Sequence, residues 1–467
     1  MFNRALKNLV QNMLPIAILA WAIFSLKLLV DAGSTPLLGL YAAYLGYMLA
    51  VALLCRKNIL QPVGVSMLIG FLAFGSNIPL FANGLIGDIR PIKTNLLFNV
   101  HGVFFLSQIM FALGTLFKID PRFSPARMLL YSKFKPVNIG FGLLILITLF
   151  VAVAGAFRIR FNIGAAKALS SFPFSGIFHY ALLDGLLMVL LWCLAASLKR
   201  KNISYTVFSG VPLLGLVLTQ AFLGWRGMIF RVMVCVVVVF WYQKRLYQNE
   251  KVRSFAWLAL LAGIGFFSIQ LGHERRAVTT GADKEFSLNP LHFIEKVQVR
   301  SQGTTRLAAV LERFDNNPYT NDWFFLELRR QRETATSYVN RVVYGIRRHQ
   351  KHSVGCSGPG TVYISGGLIG VAIVYFLWGT FYGSVYKEIG FEKNISPNLL
   401  AIALYATLID SLIYTNAESF GIGVLKKLAA VIAIAYFCRK FVISSKQRTR
   451  RSTLPAMMLH EPRIGAR

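Results

Sequence analysis

Acidic residues are scarce. The chain's 467 residues hold 19 Asp and Glu against 50 Lys and Arg, a formal net charge of +31. Charge of either sign is also thin, at 15% of residues, where a soluble domain carries about 25%. That shortage excludes a soluble globular protein. It also argues against a nucleic-acid-binding protein, which needs a basic soluble domain, and the chain has none. Cysteine is sparse and scattered, at Cys55, Cys193, Cys235, Cys356 and Cys438. No metal-ligand spacing exists among them. Only Cys356 falls in a long polar stretch, so no intramolecular disulfide is expected there. There is no Asp-x-Asp pair and no Gly-rich nucleotide loop, so neither a nucleotide-sugar donor nor a metal cofactor is implied. Short repeats and low-complexity linkers are missing. No small-x-small cleavage site follows the basic start Met1 to Asn12, so the first apolar segment is expected to stay as a helix.

Apolar residues, by contrast, fill 55% of the chain, and mean hydropathy is +0.55. A membrane span needs about 20 apolar residues. That criterion predicts about twelve spans, near 13–30, 36–55, 60–83, 96–117, 138–156, 176–197, 204–222, 227–243, 254–271, 361–383, 396–415 and 419–438. The fold class expected is an all-α polytopic membrane protein. Its loops alternate in charge. One set carries Arg4/Lys7, Arg56/Lys57, Lys118 to Lys135, Lys199 to Lys201, Lys244 to Arg253, Lys387/Lys393 and the tail from Arg439. The positive-inside rule makes this set cytoplasmic, with both termini inside. The division expected is helices one to nine in 1–271, a large outer loop in 272–360, three more helices in 361–438 and a basic cytoplasmic tail in 439–467. The tail reads as a disordered end that touches anionic lipid.

The loop 272–360 is the one long polar stretch. It holds 14 Lys and Arg, nine Asp and Glu, and four of the seven histidines. It is basic yet falls outside, which the rule tolerates in loops beyond roughly 60 residues. Within it Leu307, Val310, Leu311 and Phe314 recur at helix spacing. Asp315-Asn316-Asn317-Pro318 ends that helix, and Trp323 to Arg332 reads as a second. Ser353 to Gly360 is a turn-rich entry to the next span.

Four groups of cations face the outer side in this topology. Arg158 and Arg160 follow the fifth span, where they either snorkel to headgroups or line a site. Arg226 sits in a Gly-flanked turn, Gly224-Trp225-Arg226-Gly227; charges at such depth usually line a cavity. The third group is the polar loop, with Arg276, Arg300, Arg306 and His352 singled out from a surface that is mostly solvated. Lys426 and Lys427 form the fourth. Consecutive residues lie about 100° apart on a helix, so at least one of these lysines points at protein or water. Cations converging with few acids would hold an anion, and a lipid pyrophosphate suits Arg forks in a low dielectric. In a glycosyl transfer they would stabilise the charge growing on the leaving pyrophosphate. The acceptor hydroxyl then needs a base, for which His352, His349, Glu274 and Glu418 are the candidates.

Three segments carry a resemblance to a known family. They are Phe157-Arg-Ile-Arg-Phe-Asn162, Gly224-Trp-Arg-Gly-Met-Ile-Phe230 and His352-Ser-Val-Gly-Cys-Ser-Gly-Pro-Gly360, which runs on to Gly370. With the span count and the single large outer loop, the chain resembles the bacterial O-antigen and oligosaccharide repeat-unit polymerases of the Wzy type. The resemblance implies a GT-C-like fold in the bacterial inner membrane. It implies metal-independent, en bloc transfer of a glycan from undecaprenyl pyrophosphate to an incoming lipid-linked repeat unit, at the periplasmic face. The family's functional arginines would map onto Arg158 or Arg160 and onto Arg226, its loop histidine onto His352, and a basic position in the last helix onto Lys427. Where some members carry Arg-Glu, this chain has Ala417-Glu418, which leaves the anion cradle short of one arginine. Implied partners are the lipid-linked oligosaccharides, membrane lipid, and a chain-length regulator and flippase of the same pathway. O-antigen-ligase-like transfer and a lipid-oligosaccharide flippase or transporter stay open as alternatives. A transporter should show two-fold repeats and paired broken helices, and neither is visible in the sequence.

Overall fold

The computed structural model describes residues 35–55, 60–75, 94–117, 183–199, 210–217, 226–247, 303–314, 357–389 and 399–413, with the single positions 30, 33, 58, 78, 341 and 342. Among these residues there is helix and no strand. The helices are α1 (Thr35–Leu54), α2 (Pro62–Ala73), α3 (Thr94–Leu116), α4 (Leu183–Lys199), α5 (Arg226–Tyr247), α6 (Gly303–Phe314), α7 (Gly358–Glu388) and α8 (Leu399–Ile413). Residues 210–217 are helical as well. By length and composition α1, Leu96–Leu116 of α3, and α7 can each cross a membrane. Shorter apolar helices are Pro62–Phe71, Leu187–Leu198, Arg231–Gln243 and Leu399–Ile409. Apolar helices of this kind belong to a membrane protein. The spans expected at 13–30, 138–156, 254–271 and 419–438 lie outside the described residues, apart from position 30.

Within the span expected at 60–83, α2 covers Pro62–Ala73 and Ile78 is helical; residues 76–77 and 79–83 lie outside the described residues. Phe74 leaves helical geometry (φ −123°, ψ −56°). Its carbonyl is taken by a side chain from far along the chain, described below.

The described helices fall in two units. The first spans Met1–Ile119, Lys284–Tyr386 and Leu408–Leu425; the second spans Asp120–Asp283, Lys387–Thr407 and Lys426–Arg467.

In the first unit α2 packs on both α1 and α3. Pro62 opens α2, at the helix start where a missing N–H costs nothing. The seam is aromatic: Tyr44 stacks on Phe104 at 5.6 Å and Phe104 stacks on Phe74 at 4.4 Å. Polar side chains pair inside it. Tyr44 Oη and His101 Nδ1 share a hydrogen bond of 2.7 Å, and Ser66 Oγ donates to Gln108 Oε1 at 2.9 Å. In a hydrocarbon environment such interhelical bonds fix which faces meet.

Helix α7 runs beside α3 in the same direction. Gly379 faces the Phe111 backbone, Gly114 faces Phe376 and Thr380, and Gly383 faces Thr115. Any Cβ at these three glycines would collide with the opposing backbone. Gly379-Thr-Phe-Tyr-Gly383 is thus a small-xxx-small motif that lets two membrane helices touch backbone to backbone. The outer face of α7, Leu368, Ile369, Ile373 and Leu377, is exposed and apolar, as a lipid-facing stripe must be.

These contacts order the ends of the first unit. Asn58 Nδ2, in the turn after α1, donates to Tyr386 Oη near the end of α7, at 3.3 Å. The ends of α1, α3 and α7 therefore lie together. The end of α2 lies about 18 Å away along its axis.

In the second unit α4 packs along α5. Gln243 Nε2 donates to the Ala195 carbonyl at 3.0 Å, which joins the last turns of the two helices. Cys235 Sγ reaches the Ala406 carbonyl at 3.1 Å, and Tyr242 meets Tyr405 edge to face at 5.9 Å.

Candidate functional site

The polar stretch contributes a helix to the interior of the first unit. In α6, Gly303, Thr304, Thr305, Leu307, Ala308, Val310, Leu311 and Phe314 are buried, while Glu312 and Arg313 are exposed. The apolar spacing read from the sequence is the buried face. Each such Leu, Val or Phe contributes about 1.5–3 kcal/mol when fully buried. Arg313 stands in the last turn, where a cation suits the helix dipole.

Helix α6 packs along α3, and three further contacts tie it to α2 and α7. Thr304 Oγ1 donates to the Phe74 carbonyl at 3.2 Å, although 230 residues separate them. That carbonyl ends α2 and would otherwise be one of its orphan acceptors. Gly303 has no side chain to keep off the Phe74 ring, which a Cβ would meet at 2.8 Å. Leu307 and Val310 lie against Gly360, at the start of α7.

The start of α7 is built for burial. Ser357 adopts φ 60°, a left-handed conformation rare outside glycine. Its Oγ accepts the Gly360 N–H at 3.1 Å and its carbonyl accepts the Thr361 N–H at 3.1 Å. Ser357 and Thr361 are fully buried. A second irregularity follows at Gly367 (φ 58°, ψ −153°), which splits α7 into two helical pieces. Only glycine adopts that conformation readily. His352 precedes Ser357 by five residues in sequence, a tether of at most about 18 Å when fully extended.

In the second unit Arg226 is the first residue of α5. No acidic residue occupies that first turn. Five residues on, Arg231 is buried, with 3% of its surface exposed. It is the one fully buried Lys, Arg, Asp or Glu among the described residues. A charge inside an apolar membrane helix costs about 2.5–3.5 kcal/mol on insertion scales, so its position is significant.

Of the residues singled out from the sequence, the structure describes Arg306, half-buried on α6, and the backbone of Arg226 at the head of α5. Arg158, Arg160, Arg276, Arg300, His352, Glu418 and Lys427 lie outside the described residues. Comparison of the chain with protein-family models, curated proteins and solved structures gave no match in any of the three. Sequence reading passed over Arg231 and His101. Both signals were present: each is an ionisable residue within a predicted span, 227–243 and 96–117 respectively. Arg231 was overlooked beside the more conspicuous Gly-flanked Arg226. His101 Nε2 is buried and makes no hydrogen bond among the described residues, so this histidine acts through Nδ1 and Tyr44.

Proposed function

We propose that this protein polymerises undecaprenyl-pyrophosphate-linked oligosaccharide repeat units at the periplasmic face of a bacterial inner membrane. In this reading the hydroxyl of an incoming lipid-linked repeat attacks the anomeric carbon of the growing glycan. The bond between that carbon and the pyrophosphate oxygen breaks, and undecaprenyl pyrophosphate leaves with the electron pair. The hydroxyl proton passes to a base, with His352 and Glu418 as the candidates. Arg226 stabilises charge on the leaving group, and Arg158, Arg160, Arg276, Arg300, Arg306 and Lys427 are the further cations for pyrophosphate or glycan. Cations placed where charge develops are the economical device for such a step.

One observation carries most of the support. A helix of the basic polar stretch is seated inside the unit that holds the three long apolar helices found among the described residues. Polar chemistry worked on a lipid-linked substrate needs such a wall, joined firmly to the membrane helices. The ends of α1, α3 and α7 also share one end of the unit, and in sequence those ends run into Arg56-Lys57, Lys118 and Lys387. That pattern supports a cytoplasmic assignment for them, and an outer one for α6.

The test is the surface polysaccharide of a deletion strain. A single repeat unit on the lipid core is the expected product. Complete absence of repeat units from the core would assign ligase chemistry, and an unchanged profile would remove the reading.

A further inference from the structure

Phe74 fixes how deep α6 begins. Its ring stacks on Phe104 of α3, and its carbonyl takes the Thr304 hydroxyl. The apolar window of α3 runs from Leu96 to Leu116. Phe104 stands about 12 Å below the Leu96 edge of that window at 1.5 Å per residue. Tyr44, which stacks on Phe104 in turn, stands about 14 Å below the start of α1 at Thr35. Both distances place Thr304 near the middle of a hydrocarbon layer about 30 Å thick. The first piece of α7 lies at similar depth. A Cβ on Gly370 would stand 3.6 Å from the Val362 carbonyl. A straight helix would hold those two positions about 12 Å apart, so the chain doubles back at Gly367. The piece 368–388 is about 31 Å long and spans the layer unaided. Because Gly379 faces Phe111, Gly370 comes level with Gly102 of α3, about 9 Å inside the window. Gly360, in the folded-back piece, lies against Leu307 and Val310 of α6.

We propose that α6 and the piece 358–366 form a re-entrant pair: the polar stretch dips into the bilayer, reaches about its middle at Gly303, Thr304 and Thr305, and climbs out along α6. Hydrocarbon demands that every polar backbone group be paired within the protein, and irregular backbone survives there only when it is buried. The pair meets that demand. Thr304 takes the Phe74 carbonyl, and Ser357, at φ 60° and fully buried, takes the Gly360 and Thr361 N–H groups. A helix lying in water would need neither device. Charge is graded to match. Gly303, Thr304 and Thr305 are neutral and buried, whereas Glu312 and Arg313 stand exposed in the last turn. Arg306, between them, is half-buried and has a contact of its own. The lipid-facing stripe of α7 also begins only at the break: Leu368 and Ile369 are exposed, while Gly358, Pro359, Gly360, Thr361, Val362, Tyr363 and Ile364 are all buried. The depth follows from helix contacts alone. One corollary rests on the function proposed above: a lipid-linked donor is then met within the outer leaflet, without being lifted out of it.

The experiment uses the full-length protein in phosphatidylcholine vesicles, on a background carrying Cys356→Ser and Cys438→Ser. A bimane dye is attached at Arg306→Cys, Ala309→Cys or Arg313→Cys on α6, and at Ala42→Cys on the exposed face of α1 as a ruler. Ala42 stands about 10 Å below the start of α1. Lipids brominated on a shallow or a deep acyl carbon quench the dye, and the ratio of the two quenchings gives its depth. The Arg306→Cys label is expected within about 5 Å of the ruler's depth, and the Arg313→Cys label about 10 Å nearer the surface. Should Arg306→Cys not fold, Ala309→Cys carries the same expectation at about 5 Å shallower. If no acyl-chain bromine quenches the labels at 306 and 309 while the ruler is quenched, α6 lies above the membrane and the proposal is overturned. Equal depths at 306 and 313 would lay α6 flat along the interface and overturn it too. The surface polysaccharide of a deletion strain bears on function alone, so failure of the depth and failure of the functional reading are told apart.

Discussion

Gly379 of α7 lies against the backbone of Phe111 in α3, so close that no side chain fits between them. Gly383 repeats the arrangement one turn later, with a Cβ there falling 2.6 Å from the Thr115 carbonyl. Backbone, rather than a flexible side chain, is what the added atom would strike. Gly379→Leu is therefore expected to destabilise the protein by about 3 kcal/mol or more, at the upper end of overpacking costs. Thermal unfolding followed by fluorescence-detected size exclusion measures it. A Gly379→Leu protein as stable as wild type would show that α3 and α7 do not touch.

The Tyr44–His101 bond makes a separate prediction. Tyr44→Phe keeps the ring that packs on Phe71, Phe104 and Phe105 but strips His101 of its partner. Leaving a buried polar group unsatisfied costs about 1–3 kcal/mol. The double variant Tyr44→Phe/His101→Phe should recover part of that loss, since no polar atom then remains unpaired. Equal stability of the single variant and wild type would mean that the bond contributes nothing.

At Gly367 the conformation itself is the target. Gly367→Ala places a Cβ on a backbone at φ 58° and ψ −153°. The expected cost is about 1–3 kcal/mol, unless the helix straightens. Straightening would pull the start of α7 away from Leu307 and Val310, so spin labels on α6 and on residue 373 would report a changed distance. An unaltered stability together with an unaltered distance contradicts the break in α7.

The seating of α6 can be read by chemical labelling. The native Cys55, Cys193 and Cys235 are buried, at 2%, 7% and 0% exposure, and Cys356 and Cys438 are replaced by serine so that only the introduced cysteine is read. Cysteine placed at Glu312 or Arg313 should react quickly with a membrane-impermeant maleimide added from outside the cytoplasm. Cysteine at Val310 or Leu311 should react slowly. Uniform labelling of all four sites would describe a solvated loop, and labelling only from the cytoplasmic side would invert the topology.

Arg226 carries the functional prediction. Arg226→Ala is expected to leave expression intact and to abolish long polysaccharide, with single-repeat product remaining. Electrophoresis of the surface glycan shows this directly. A normal ladder of chain lengths from the variant takes Arg226 out of the site.

Much of the helical layout was legible in the sequence, because apolar run length is a local property. The runs at 36–55, 96–117 and 361–383 became α1, α3 and α7 within a few residues. The amphipathic spacing of Leu307, Val310, Leu311 and Phe314 marked the buried face of α6 in the same local way. The end of α2 has a local signal in Gly75 and Pro79 just beyond it, whereas the partner of the Phe74 carbonyl, Thr304, lies 230 residues away and was not legible. Of the residues singled out by charge, Arg226 and Arg306 fall within the described helices; Arg231 had the same kind of signal, an ionisable residue inside the span at 227–243, and its burial appears only in the structure.

By itself the sequence determined that the chain is a helical membrane protein with one long basic polar stretch. Composition and hydrophobic period suffice for that, because a backbone in hydrocarbon has to bond to itself. Tertiary structure alone decided that Gly379 and Gly383 are contact surfaces rather than flexible points, that Tyr44 and His101 are partners, and that part of the polar stretch belongs to the interior of a helical unit. Each of these depends on which faces of distant segments meet. Close packing settles that question among many faces that look equally apolar in sequence.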